Sequence, residues 1–102
     1  MALTQTLVTV TPVEIYRSTG TNAVVVAYFC NISAVPAQLS LYLVDVGGTA
    51  SESNMIYKNL NLTAEDTYVL DNEKIILDNN QSLYASCSVA DAVRATVNTI
   101  GV

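Results

Sequence analysis

Ser82-Leu83-Tyr84-Ala85-Ser86-Cys87-Ser88-Val89, a break at Ala90-Asp91, then Val93-Arg94-Ala95-Thr96-Val97-Asn98-Thr99: these residues decide the fold. In the first run Leu83, Ala85, Cys87 and Val89 alternate with Ser82, Tyr84, Ser86 and Ser88. In the second, Val93, Ala95, Val97 and Thr99 alternate with Arg94, Thr96 and Asn98. Successive side chains of an extended chain point to opposite faces, so a period of two marks a strand with one face on a core. Leu39, Leu41 and Leu43 alternate in the same way with Gln38, Ser40 and Tyr42.

Further upstream, Asn22 to Ile32 is apolar on both parities, with Val24, Val26, Tyr28 and Cys30 set against Ala23, Val25, Ala27 and Phe29. A strand of this kind is covered on both faces, at a sheet centre or an interface. Either Tyr28 and Cys30 or Ala27 and Phe29 must then face a second layer: a loop, a partner or another copy. Turn residues punctuate the rest: Ser18–Asn22, Ala34–Ala37 around Pro36, Gly47–Asn54, Thr63–Asp66, Asp71-Asn72-Glu73 and Asp78-Asn79-Asn80. Proline stops a strand from running through, and Asn tolerates the positive φ of a tight turn. The expected strands are 6–10, 13–17, 23–32, 38–46, 55–61, 67–70, 74–77, 82–89 and 93–99. Seven to nine short strands predict an all-β fold, a single antiparallel β-sandwich spanning 1–102. No segment reads as a helix, although Ser53 to Asn61 could make one turn.

Composition narrows the function. Lys and Arg number 4 against 9 Asp and Glu, for a net charge of −5. Nucleic-acid binding is not expected, because phosphate contacts need clustered cations. There is no His, which removes the commonest general base and the commonest zinc ligand. Only 13% of residues are charged while 51% are hydrophobic, and the polar remainder is mostly neutral Thr, Asn and Ser. So few charges do little to keep a monomer apart from its neighbours, a first sign of assembly. Apolar runs fall short of the ~18 residues of a membrane helix, and none is expected.

Met1 to Thr6 has neither the basic nor the long apolar segment of an export signal, so folding in a cytoplasm is expected. Cys30 and Cys87 should then be free thiols rather than a disulfide. Asn31, Asn61 and Asn80 open N-x-Ser/Thr sequences, and none is expected to be glycosylated.

No catalytic constellation emerges. Asp45, Glu52, Glu65, Asp66, Asp71, Glu73, Asp78 and Asp91 sit in or beside expected turns, where carboxylates cap and solvate. The cysteines lack a His partner, so thiolate catalysis is not expected. Asp71-Asn72-Glu73 and Asp78-Asn79-Asn80 cluster oxygen ligands, but neither follows the spacing of an EF-hand loop, and hairpin turns explain both. No metal, cofactor or catalytic residue is therefore assigned. Cys30, Tyr42 and Cys87 mimic the Cys…Trp…Cys spacing of immunoglobulin domains, yet Tyr replaces Trp, and Tyr84 precedes Cys87 by three residues where a tyrosine corner needs two. The candidate interface residues are Tyr28, Phe29, Tyr42 and Tyr84. Tyr28 and Phe29 lie on the doubly apolar strand. Tyr42 and Tyr84 lie on the polar parity of their strands, where a large ring with a polar tip suits a protein interface or cross-strand packing.

A longer pattern runs from Asn54 to Val97: Asn54-Met55-Ile56-Tyr57-Lys58, Leu60-Asn61-Leu62, Asp66-Thr67-Tyr68-Val69-Leu70, Ile75-Ile76-Leu77, then Asp78 through Ser86, and finally Val93-Arg94-Ala95-Thr96-Val97. Thr11 to Arg17 and Val24 to Asn31 extend it toward the N-terminus. The chain from roughly residue 7 to residue 99 resembles the small β-sandwich virion proteins of tailed bacteriophages, the head-decoration, neck or tail-associated proteins. Where such relatives often carry Gly-Asp in the turn before the Ser82-Leu83 strand, this chain has Asn80-Gln81, and Asn can take the same positive φ. The resemblance implies a non-enzymatic structural protein of the virion, made in the host cytoplasm. It would bind larger virion proteins or further copies of itself as a decoration or cement subunit. The alternative is a carbohydrate- or receptor-binding module of a phage fibre. A cement protein should present a broad flat apolar face, whereas a fibre-tip lectin should present rings beside Asp and Asn in a concave patch.

Overall fold

Alternation becomes architecture in a computed structural model that describes residues 2–71 and 75–101. Its strands are β1 (Ala2–Val8), β2 (Val13–Arg17), β3 (Asn22–Asn31), β4 (Ala37–Val44), β5 (Met55–Leu62), β6 (Thr67–Leu70), β7 (Ile75–Leu77), β8 (Ser82–Cys87) and β9 (Val93–Gly101). One sheet has the order β1-β9-β3-β6, with β7 also paired to β3, and the other has the order β2-β8-β4-β5. All pairs are antiparallel. The fold is thus an all-β sandwich. The chain passes from one sheet to the other at every link except β4–β5 and β6–β7, which gives the strand order of a jelly roll.

Alternating residues fill the space between the sheets. Leu39, Leu41, Leu83, Ala85 and Cys87 from one sheet meet Val8, Val24, Ala27, Phe29, Val93, Ala95 and Val97 from the other in one buried cluster. At roughly 25 cal/mol per Å2 of apolar surface, this layer is the main source of stability. The double parity of β3 is resolved by a bulge. Val24 pairs with Thr99 and Val26 with Asn98, so Val25 is the extra residue and the alternation shifts. Val24 therefore joins Ala27, Phe29 and Asn31 on the core face, while Val26, Tyr28 and Cys30 turn outward.

Links between strands gather at the two ends of the sandwich. At one end lie 9–12, 32–36, 63–66 and 88–92, tied by Cys87 N–H to Thr9 O (3.0 Å) and Ile32 N–H to Ala92 O (2.7 Å). The Ala90-Asp91 break is thus part of a crossover between sheets, with Asp91 at φ 57°. At the other end lie 18–21, 45–54 and 78–81. There Asn80 takes φ 67°, as its turn requires, and donates its N–H to Ser18 O at 2.8 Å.

The first strand departs most from expectation, running over Ala2–Val8 instead of 6–10. Thr9 and Val10 look strand-forming by composition, but there the backbone leaves β9 to reach the second sheet, and Val10 is left exposed. Glu52–Asn54 forms a short 3-10 turn just ahead of β5.

Candidate interaction surface

Each sheet has an outward face, and the two differ. On the outer face of the β1-β9-β3-β6 sheet, cross-strand partners stand in rows. Ile100, Ala23 and Ile76 form one row, and Leu3, Asn98 and Val26 the next. Gln5, Thr96, Tyr28 and Val69 follow, then Leu7, Arg94, Cys30 and Thr67. Leu3, Tyr28, Val69, Ile76 and Ile100 are between 40% and 62% exposed, half of the large apolar side chains exposed among the described residues. Within these strands, and among the described residues, Arg94 supplies the face's one charge. Four strands spaced by about 4.8 Å and some eight residues long give a face of roughly 500 Å2. Gln5, Thr67, Arg94, Thr96 and Asn98 interrupt the face, so about two thirds of it is apolar, an exposed patch of a size that is often functional on soluble proteins.

Over the second sheet the outer face is closed by the chain itself. Tyr42 is 6% exposed and lies outside the central cluster. Its cross-strand neighbours are Tyr84 on β8 and Met55 on β5, and its hydroxyl lies 3.0 Å from Ser86 Oγ. The 3-10 turn of the 45–54 loop lies against β4. That loop is braced by Asn54, which donates to Thr49 O at 2.8 Å and accepts from Ser51 N–H at 3.0 Å. A single hydroxyl–hydroxyl bond thus satisfies the polar tip of Tyr42 while its ring is sealed.

The expected interface residues therefore separate. Tyr28 stands near the middle of the open face. Phe29 is fully buried in the core, so it is no surface residue: the bulge in β3 assigned its parity to the interior. Tyr42 is likewise enclosed, and Tyr84 is half-buried beside it. Both belong to the opposite sheet and do not extend the patch around Tyr28. Leu3, Val69, Ile76 and Ile100 escaped sequence reading. Leu3 and Ile100 lie beyond the expected ends of their strands. Val69 and Ile76 sit in the apolar triplets Tyr68-Val69-Leu70 and Ile75-Ile76-Leu77, whose middle residue must point away from the core. Cys30 and Cys87 are unpaired, Cys30 half-buried on the open face and Cys87 in the core.

Polar side chains at the loop ends are engaged in tying loops together. Asn79 Oδ1 accepts Gly20 N–H (2.9 Å), Gln81 Oε1 accepts Asp78 N–H (2.8 Å), and Gln81 Nε2 donates to Asp45 Oδ1 (3.0 Å). The Gln81 amide and the Val46 N–H hold Asp45 below the usual carboxylate range. Glu52 is lowered and Lys58 raised by their mutual ion pair. No group of three or more potential metal ligands forms among the described residues, and Asn72 and Glu73 of the Asp71-Asn72-Glu73 turn lie outside them. Clefts along the sandwich measure about 250, 220 and 180 Å3, under the roughly 300 to 1,000 Å3 of small-molecule sites. No helix among the described residues is long and apolar enough to cross a membrane. Comparison with family models, curated proteins and solved structures finds no match for the chain.

Proposed function

We propose that this chain is a non-enzymatic structural protein of a bacteriophage particle, one that works by laying a preformed apolar face on a larger virion protein. The observation that supports this is the open outer face of the β1-β9-β3-β6 sheet. Five large apolar side chains stand exposed there, beside a single arginine. Burial of the apolar part of that face, some 300 Å2, at about 25 cal/mol per Å2 is worth about 7 kcal/mol before association costs, which can help hold a subunit whose shape fits. Jelly rolls serve in viral capsids and in lectins, so topology fits this reading without deciding it. The character of the face favours cement over sugar binding. Tyr28 is surrounded by Thr96, Val69 and Cys30, apart from the Asn- and Asp-rich loop ends.

The test is the copy number of this chain in purified phage particles by quantitative mass spectrometry, with Val69→Lys as the paired variant. The wild-type chain should be present at a stoichiometry fixed by particle symmetry, and Val69→Lys should fold but fail to join the particle. Absence of the wild-type chain from particles refutes the proposal, and retention on a glycan array would replace it with the fibre reading.

A further inference from the structure

Sheet edges invite other strands, and three of the four in this sandwich are guarded. At β2 a bulge sits at Ile15 and an ion pair joins Glu14 and Arg17 at 2.7 Å. Along β5 there is Lys58, Asn59 at φ 54° and two shifts of register against β4. The opposite edge of the first sheet is split into β6 and β7, four and three residues long. β1 is different. It pairs on one side only, with β9, in unbroken register from Ala2 to Val8, and it contains no charge, proline or bulge.

Its sequence also has a symmetry. Leu3-Thr4-Gln5-Thr6-Leu7 reads the same in both directions. An antiparallel pair of such strands centred on Gln5 sets Leu3 against Leu7 and Thr4 against Thr6, each twice, and Gln5 against Gln5 once, on the axis. The leucines and glutamines lie on the outer face and the threonines on the inner one. Thr–Thr and apolar cross-strand pairs stabilise sheets, and two primary amides can each donate and accept. We infer that two copies of this chain pair through β1 about a twofold axis at Gln5, joining their sheets into one.

Charge agrees with a second copy as the occupant. The chain carries −5 overall, yet β1 is neutral and the neighbouring Glu14 and Arg17 cancel, so the two flanks meet without like charges opposed. β1 and β2 lie along the same flank, where Thr4 and Thr6 share a cleft with Glu14, Ile15, Tyr16 and Arg17. β1 is seven residues long, about 24 Å of extended chain, and pairing along that length satisfies the open edge of the strand. Pairing also covers Leu3 and places the two apolar outer faces side by side. The inference is independent of any virion role.

Cross-linking tests the register. In a Cys30→Ser background, Gln5→Cys should form an inter-chain disulfide on mild oxidation, because paired Cα atoms about 5 Å apart suit one. Leu3→Cys alone should not, since its copies would stand about 13 Å apart along the strands. By sedimentation equilibrium the wild type should be a dimer. Gln5→Lys should weaken it about tenfold by opposing like charges, and mixing Gln5→Lys with Gln5→Glu should restore it. A wild-type monomer at 100 µM, equal cross-linking of Gln5→Cys and Leu3→Cys, or a dimer indifferent to Gln5→Lys each overturns the inference. Circular dichroism confirms that the lysine variant is folded, and the cysteine pair decides the matter if it is not.

Discussion

Replacement of Asn31 should show that this sandwich is pinned at one end by a single buried amide. Asn31 ends β3 on the core face and is fully buried. Its Nδ2 donates to Val35 O (2.9 Å), Leu62 O (3.2 Å) and Thr63 O (3.2 Å), and its Oδ1 accepts from Ser33 N–H (3.0 Å) and Ser33 Oγ (2.7 Å). One side chain thus ties the 32–36 and 63–66 links, which sequence places far apart. Hydrogen bonds contribute about 1 kcal/mol each, and buried groups left unpaired cost more, so Asn31→Ala should destabilise by about 3 kcal/mol even if water enters. At 4 to 8 °C per kcal/mol for a domain of this size, the melting temperature should fall by roughly 12 to 24 °C.

Asn31→Asp sharpens the test, because it keeps the shape and reverses the chemistry. An oxygen now faces three carbonyl oxygens. Burial and those dipoles disfavour the ionised form, so the introduced carboxyl titrates higher in the folded chain than its unfolded value of about 3.9. Between those two values the folded state holds the extra proton, so stability falls as pH rises and levels off above the folded value. Below about pH 4 the protonated acid can still donate to one carbonyl, and the loss should be near 1 to 2 kcal/mol. At neutral pH it should exceed that of Asn31→Ala. Urea melts followed by circular dichroism from pH 4 to pH 8, with Asn31→Ala as reference, measure both. An Ala variant losing under 1 kcal/mol, or an Asp variant tracking it at every pH, refutes the reasoning.

Three further outcomes are expected. Phe29→Ala should cost about 3 to 5 kcal/mol in urea melts, while Tyr28→Ala, next to it on the open face, should cost about 1 or less; equal costs would mean that the face is covered within the monomer. In the native protein a maleimide should label Cys30 well ahead of Cys87, which should react only on unfolding; equal rates would contradict the burial of Cys87. Asp45 is held low by Gln81 and Val46, so its stabilising contribution is present above the ordinary carboxylate range and fades as pH falls through its lowered folded value. Asp45→Asn should accordingly lower stability slightly at pH 7 and flatten its further loss below about pH 4, where the two proteins converge, and an unaltered acid limb would count against the Gln81 contact.

Much of the sandwich could be read from alternation alone, and the failures have physical causes. β2 and β6 begin and end where their patterns do, and β8 and β9 carry the core residues assigned to them. Local pattern fails where the chain must leave one sheet for the other, since Thr9 and Val10 are strand-like residues that lie past the end of the β1–β9 pairing at Val8. It also fails at the Val25 bulge, because an extra residue in a ladder is visible only against the partner strand. Which strands become neighbours is set by long-range pairing, on which a period of two is silent.

The same bulge explains why the candidate surface was half legible. Reading β3 predicted that one parity would face away from the core, and Tyr28 belongs to that parity. Without knowledge of the bulge, Phe29 had equal standing with it. Tyr42 and Tyr84 were correctly placed on an outward parity, yet outward from a sheet is not the same as exposed. Ser86 satisfies the Tyr42 hydroxyl, Tyr84 and Met55 flank the ring, and the 45–54 loop lies beside β4. Over the other sheet the flanking residues Leu3, Val69, Ile76 and Ile100 are themselves apolar and exposed, and Thr96 and Asn98 cannot shield them. A chain with so few charges places almost none of them on this face. Val69 stands beside Tyr28, and Leu3, Ile76 and Ile100 stand further out on the same face, which makes the open sheet rather than the tyrosine-rich one the candidate surface.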